Sequence, residues 1–387
     1  MRPTGQRDLR RHNTTVVLDA VAAGGGSRAG VAAATGLAKA TVSSLVDRLV
    51  AAGLVTETGP ESRPGRGRRG TGLALAPTGP HGVGLEIGVD YLATCLTDPT
   101  GREHAFRLSP GDNRDQPPSR VLTKAKRAVR RAVADAGAMG VPVGGLGIAV
   151  PGLVERETGV LLAAPNLGWS RVDLRAAFPG AAVDNEANHA ALAELWHGAG
   201  GRDFVLVSGE IGIGAGIVSG GAVFGGVRGF SGEIGHLCVD PTGPPCPCGA
   251  RGCLERVAGL ETLTGGEPVV ALDGLIRKLS EKDGQALSAV NAAGTVLGVA
   301  LAGVVNVLDI PTIVLGGGYA RLHQWLAPPL RAELELRVVG APWSAIEVRA
   351  SELGSRAAVR GAATAVTRAI LADPDPYIDR VLDTAAR

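Results

Sequence analysis

Apolar residues recur at helical spacing three times within the first 52 residues. Val17, Leu18 and Val21 predict a helix over 14–23, stopped by Gly24-Gly25-Gly26. Ser27 can cap a second helix reaching about Thr35, with Val31 and Ala34 inward, and Gly36 turns the chain. Val42, Leu45, Val46 and Leu49 share one face of a third helix over 38–52, ended by Gly53. Leu54-Val55 then opens a strand, and residues 72–76 read as its return.

Past Pro77–Pro80 the pattern becomes mixed α/β. Strands are predicted over 82–90 and 91–97 as a hairpin, with Asp98-Pro-Thr-Gly101 as a turn. A helix over 119–136, a buried strand over 143–150 ending in Pro151-Gly152, a short strand over 181–184 and a helix over 186–197 follow. A second set begins at 203–208 with a strand, a glycine loop over 209–216, another strand and a turn at Gly220-Gly221. An apolar helix over 288–308, a strand over 312–315 and a glycine turn over 316–318 come next, and helices over 355–372 and 377–386 close the chain. Two hairpin-led halves, each with a glycine loop after its first strand, imply a duplicated fold around a cleft. The paired loops and the third glycine turn point to phosphate-type sites.

This divides the chain into a head over 1–76, a first α/β lobe over 81–184 completed by 355–387, and a second lobe over 185–354. A chain of 387 residues with 45% apolar content can build cores for all three. No run of 18 apolar residues and no apolar N-terminal segment occurs, which predicts a cytoplasmic protein without a membrane span. The net charge of +2 conceals an asymmetry. Residues 1–72 hold eleven Lys/Arg against five Asp/Glu, and the remainder holds 28 against 32. A basic head on a mildly acidic body predicts that the head alone meets a polyanion.

The head has the pattern of a winged helix-turn-helix. The third helix begins with short outward side chains, Lys39, Ala40, Thr41, Ser43 and Ser44, with Arg48 one turn on; such residues let a helix backbone approach base edges in a major groove. Between the two strands lies a glycine-rich tip carrying Arg63, Arg66, Arg68 and Arg69, suited to phosphates or a minor groove.

The most unusual stretch runs from Glu233 to Glu255. It holds four of the five cysteines, with His236 just upstream, and glycines and prolines break it into tight turns. Such a loop buries little apolar surface and needs another source of order. Cys246, Cys248 and Cys253 predict a structural zinc ion, with His236 or Cys238 as the fourth ligand. One isolated cysteine and one cluster do not make a secreted disulfide framework.

Several stretches together resemble the ROK family: Glu233-Ile-Gly-His236, Cys246-Pro-Cys248-Gly-Ala-Arg-Gly-Cys253-Leu-Glu255, Asn185-Glu-Ala-Asn188 and Ile313-Val-Leu-Gly-Gly-Gly318. That family groups sugar kinases with sugar-responsive transcriptional repressors on a two-lobed actin-like ATPase (ribonuclease H-like) fold, and its repressor branch carries an N-terminal winged helix-turn-helix. The resemblance implies His236 as the fourth zinc ligand, leaving Cys238 as a small buried residue on a strand. It also implies sugar contacts at Asn185, Glu186, Glu233, His236 and Glu255, with Asn166 and Gly152 as further candidates for the pocket wall. His236 would then hold zinc with one ring nitrogen and face a sugar hydroxyl with the other.

The kinase parts depart from the family pattern. The first phosphate loop reads Glu86-Ile-Gly-Val-Asp90, which adds a branched side chain and a carboxylate. Glu210-Ile211 replaces a Gly-Thr in the second loop, and Glu186 stands where the kinases carry an Asp base. Like charges ~4 Å apart repel by about 4 kcal/mol at an effective dielectric near 20, enough to abolish useful phosphate affinity. Three departures, read as separate sites, predict lost phosphoryl transfer. The expectation is therefore a non-enzymatic, sugar-responsive regulator, more in keeping with a repressor, acting as a homodimer or homotetramer on a roughly palindromic operator. The alternative is an active ATP-dependent sugar kinase with an added DNA-binding domain.

Overall fold

The fold is described from a computed structural model, over residues 5–60, 71–198, 201–265 and 268–385. The head consists of α1 (Gln6–Ala22), α2 (Arg28–Thr35), α3 (Lys39–Ala51) and the antiparallel pair β1 (Val55–Pro60) and β2 (Thr71–Leu75). The Ser27 side chain caps α2, and Gly36 ends it at φ 71°. Val17, Leu18, Val31, Val42, Leu45, Val46 and Leu49 are buried together. Ala32, not the expected Ala34, completes this core, because Val31 and its neighbour face α3 while Ala34 is exposed. The tip arginines Arg63, Arg66, Arg68 and Arg69 lie outside the described residues.

The first lobe contains β3 (His81–Ile87), β4 (Tyr91–Thr97), β5 (Glu103–Pro110), α4 (Pro118–Ala138) and β6 (Val143–Val150). A small sheet of β7 (Leu153–Glu155), β8 (Val160–Ala164) and β9 (Trp169–Asp173) follows, then α5 (Leu174–Ala177) and β10 (Ala182–Asn185). The main sheet runs β10-β6-β3-β4-β5. The second lobe begins with α6 (Glu186–His197), β11 (Phe204–Gly209), β12 (Ile213–Ser219) and β13 (Ala222–Val223). After the cysteine loop come α7 (Glu255–Ala258), α8 (Leu260–Thr264), α9 (Pro268–Ser280), α10 (Gly284–Leu308), β14 (Thr312–Gly316), α11 (Gly317–Arg337) and β15 (Glu347–Ala350). Its sheet runs β13-β12-β11-β14-β15.

The two sheets share one topology. In each, the first strand is central, with an antiparallel hairpin on one side (β4-β5, β12-β13) and two parallel strands on the other (β6-β10, β14-β15). Strand β5 escaped the sequence pattern because it is an edge strand with no fully buried position. Helix α10 has the length and apolarity of a membrane span. It is nonetheless a core helix here, with Val290, Leu297, Leu301 and Val305 buried in one cluster with Leu322, Leu326 and Leu330 of α11.

The last two helices, α12 (Ala357–Ala372) and α13 (Asp375–Ala385), go to different places. Helix α12 packs on β3, β4 and β6 and along α6, so the two helices stand between the sheets. The contact is close enough that a Cβ on Gly147 would sit 2.0 Å from the Ala362 carbonyl oxygen, and one on Gly361 would sit 1.8 Å from that of His189. Helix α13 leaves the body. Tyr377 and Ile378 enter the core of the head, and Asp375 and Asp379 hold the Arg48 guanidinium. Its amphipathic pattern announces a partner surface without saying which one.

Candidate functional site

The six residues expected at a sugar pocket line one cavity of about 370 Å³ between the lobes: Asn166, Asn185, Glu186, Glu233, His236 and Glu255. They arrive from separate elements. Asn185 ends β10 and caps α6, accepting from the Ala187 amide at 2.7 Å while its Nδ2 donates to the Gly152 carbonyl at 2.9 Å. Glu186 is the first residue of α6. Asn166 sits on a single helical turn, Pro165–Leu167, between β8 and β9. That small sheet was missed from sequence because its strands are only three to five residues long. Glu233 precedes a turn over Ile234–His236, and Glu255 opens α7. Gly212 forms the opposite wall: a Cβ there would lie 2.7 Å from Glu255 Oε2.

The cysteine loop meets this cavity along one side. One ligand atom each from His236, Cys246, Cys248 and Cys253 lies within 4.8 Å of all the others, so the four could hold a metal ion. Cys248 Sγ and Cys253 Sγ are 3.7 Å apart, and Cys246 Sγ is 3.8 Å from His236 Nδ1. Metal–sulfur bonds of ~2.3 Å in a tetrahedron require ligand edges of about 3.8 Å, so the spacing already suits one ion. His236 Nδ1 faces Cys246 and, at 3.6 Å, Glu255 Oε1; its Nε2 faces Glu233 Oε2 at 3.8 Å. Both His236 and Cys248 line the cavity as well. Cys238 is exposed rather than buried. It makes an isolated bridge with Cys253 instead of belonging to a strand, because the prolines and glycines around it leave no room for a ladder.

The departures from the kinase pattern are not separate, and Glu86, which opens the loop carrying Val89 and Asp90, joins them. Glu86 from β3, Glu186 from α6 and Glu210 after β11 line a single cavity of about 20 Å³. Glu86 is 3% exposed. Its Oε1 accepts from the Tyr91 hydroxyl at 2.5 Å, and the carboxyl also faces the backbone N–H of Val359 in the first turn of α12. Burial pushes Glu86 up to about 7 against those two donors. Burial and the repulsion of neighbouring carboxyls push Glu186 and Glu210 up to about 8. Glu210 also covers the third glycine turn, since a Cβ on Gly317 would meet its Oε1 at 2.4 Å. A side-chain carboxyl thus occupies the N-terminus of α11, where an anion would otherwise be held. Glu186 and Glu210 further share a small cavity with Val89 and Asp90.

In the head, Lys39, Ala40 and Ser44 are exposed at the start of α3, and Thr41 and Ser43 are partly so. Arg48 was expected to face DNA. It is instead held by Asp375 and Asp379, because α13 packs beside the last turns of α3. The organising cation of this helix is one the sequence pattern did not single out. Arg28 on α2 donates to Ser43 Oγ at 3.0 Å, Asp47 at 2.6 Å and Glu57 at 2.9 Å, tying α3 to the base of the wing.

Known proteins match both parts. The ROK family model matches residues 82–369, and an IclR helix-turn-helix domain matches residues 13–59. The xylose repressor of Bacillus subtilis (strain 168) is 30% identical over 357 residues, covering 88% of this chain and 90% of that protein. A glucokinase of Halalkalibacterium halodurans is 35% identical over 245 residues, but these cover only 56% of this chain and 74% of the kinase. A solved ROK family transcriptional regulator, a homologue of the E. coli MLC protein, superposes with a TM-score of 0.80 at 25% identity over 96% of this chain and 99% of that one. With an IclR-type helix-turn-helix at its N-terminus and a two-sheet body behind it, the chain belongs to the ROK family.

Proposed function

We propose that this protein is a sugar-responsive DNA-binding repressor of the cytoplasm. The observation that carries the reading is the 370 Å³ cavity, which gathers Asn166, Asn185, Glu186, Glu233, His236 and Glu255 in a chain that also bears a helix-turn-helix head. Carboxylates and amides suit sugar hydroxyls because each offers directed acceptors or donors in a partly dry cleft. The exposed start of α3, Lys39 to Ser44, enters the major groove, and Arg63, Arg66 and Arg68 take phosphates. Two heads of a homodimer read a roughly palindromic operator. Sugar binding changes the lobe arrangement, and α12 and α13 carry the change from α6 to the head. Such coupling requires different sugar affinities in the two arrangements.

The metal is zinc and its role is structural: three thiolates and one imidazole close the ligand set. Zinc would fix His236 through Nδ1 and leave Nε2 towards Glu233 and the cavity, so the loop serves as one wall of the pocket.

Phosphoryl transfer is lost in this reading. A cavity of about 20 Å³ holds roughly one water molecule. It leaves no room for a phosphate among Glu86, Glu186 and Glu210. The glucokinase relatives favour the other possibility, an active kinase, and the two are separable by assay.

In a mobility-shift titration at stated salt, one of D-xylose, D-glucose or N-acetyl-D-glucosamine is expected to weaken operator binding by roughly tenfold or more; no effect from any of a broad sugar panel would remove the sensor role. ADP release with the same sugars is expected to stay at background, and turnover abolished by Glu186→Ala would establish the kinase instead. Elemental analysis is expected to give about one zinc per chain, lost in Cys248→Ser together with sugar binding; a metal-free variant that binds sugar as well as the parent would detach the loop from the pocket. The raised carboxyls give a stability signature. Their protons stay bound in the folded state up to pH about 8 but leave the unfolded chain near 4.5. Stability is therefore fullest below pH 4.5 as far as these groups are concerned, and falls as pH rises towards 8. Glu210→Gln is expected to flatten that fall and raise Tm at pH 8; an unchanged pH profile would show the carboxyl to be ordinarily ionised.

A further inference from the structure

The sugar cavity and the carboxyl cavity adjoin. Glu186 lines both, and Pro151, Asn166, Glu186 and Gly212 link the larger one to the small space beside Val89, Asp90 and Glu210. Across all three, the lining residues include carboxyls from Glu86, Asp90, Glu186, Glu210, Glu233 and Glu255 and, among the described residues, no lysine or arginine. His236 is the one lining side chain able to carry positive charge, and its Nδ1 is turned to the cysteine loop.

The inner end is closed by size as well as by charge. The spaces there are about 20 and 40 Å³, against 370 Å³ for the outer cavity. Glu86 is buried there with its carboxyl held by the Tyr91 hydroxyl and the Val359 backbone N–H, so those donors are turned to it and not to an incoming anion. The groups facing the cluster are the Tyr91 hydroxyl and the Val359 backbone N–H on Glu86, Asp90 on Glu210 and Glu233 on Glu186. A phosphate offers only acceptor oxygens, and here it would meet acceptors and carboxyls in place of the arginine or lysine that such groups require. A neutral sugar offers hydroxyl donors to every one of them.

Resting on the sugar-effector reading above, we infer that the cleft selects uncharged sugars and refuses their phosphorylated forms, with Glu86 and Glu210 as the residues that set this specificity from behind Glu186. The effector is then a free sugar. The reaction class that removes the signal is phosphorylation of that sugar, because the product no longer fits.

Isothermal titration at pH 8, where the cluster is at least partly ionised, would compare D-xylose, D-glucose and N-acetyl-D-glucosamine with the 1- and 6-phosphates of the latter two. Each phosphate is expected to bind roughly 100-fold or more weakly than its parent. The doubly substituted Glu86→Gln, Glu210→Gln protein is expected to narrow that gap by about tenfold, with an unchanged circular-dichroism spectrum and a cooperative melt reporting an intact fold. Should the double variant misfold, Glu210→Gln alone serves, with a smaller narrowing. A phosphate that binds within about tenfold of its parent overturns the inference, and so does a gap that the variants leave untouched. If a free sugar binds and its phosphate binds equally well, the effector reading stands and only the selectivity falls. If no sugar of either kind binds, both fall together.

Discussion

The architecture depends on one close contact, between α6 and α12. These helices stand back to back between two sheets of the same topology, and their interface is built from small residues. Ala190, Ala191, Ala193, Ala357, Ala358 and Ala362 are all buried in one cluster. Side chains of this size bury little area each, so the contact is stabilised by proximity: backbones approach until a Cβ at Gly361 would overlap the His189 carbonyl. Two consequences follow. The first turn of α6, with Asn185 and Glu186, is held rigidly at the cleft floor. The C-terminal end of the same contact sends the chain up into the head as α13.

A second constraint is electrostatic. Glu86, Glu186 and Glu210 come from different elements, and their carboxyls share a space the size of a water molecule without an opposing lysine or arginine among its lining residues. Burying ionised carboxylates in this way is unfavourable by several kcal/mol each unless they are paired, and a raised proton affinity is the usual relief. The cluster is therefore consistent with lobes that close around protonated acids or donor groups. The glycine turns of a nucleotide site are still present, because the fold needs its tight strand-to-helix turns whatever they hold. Glu210 lies over Gly317 at one such turn, at the start of α11.

How much of this could be read from the sequence follows from the range of each interaction. Helix spacing, caps and hairpins are local, so the second and third head helices, both central strands and the long body helices fell within a few residues of their positions, whereas α1 starts eight residues before the predicted 14 because residues 7–12 are exposed and carry no apolar period. The metal cluster was legible because its ligands are close in the chain and chemically distinctive. Residues reaching across the cleft, Asn166 and Asn185 among them, became candidates only through the family resemblance, since an asparagine carries no local signature of what it faces. The convergence of Glu86, Glu186 and Glu210 was illegible: the sequence separates them widely, and each taken singly is an ordinary substitution. Arg48 failed for a related reason. Its outward direction on α3 follows from helical periodicity, but the acidic helix that receives it lies more than 300 residues away.

The same long-range contact bears on how a sugar could be felt by the head. Helix α12 has 16 residues, a length of about 24 Å at the standard rise. A rotation of about 10° at its α6 end would displace its far end by roughly 4 Å, if the helix moves as a rod. Tyr377 and Ile378 in the head core, and Asp375 and Asp379 on Arg48, would pass that displacement to the helix that begins with Lys39. An operator with half-sites one helical turn apart, roughly 34 Å, tolerates little error in where two such helices sit. The ion pairs on Arg48 then have a purpose that direct DNA contact would not serve. They make the position of α3 a property of the body, which carries the cleft between the lobes.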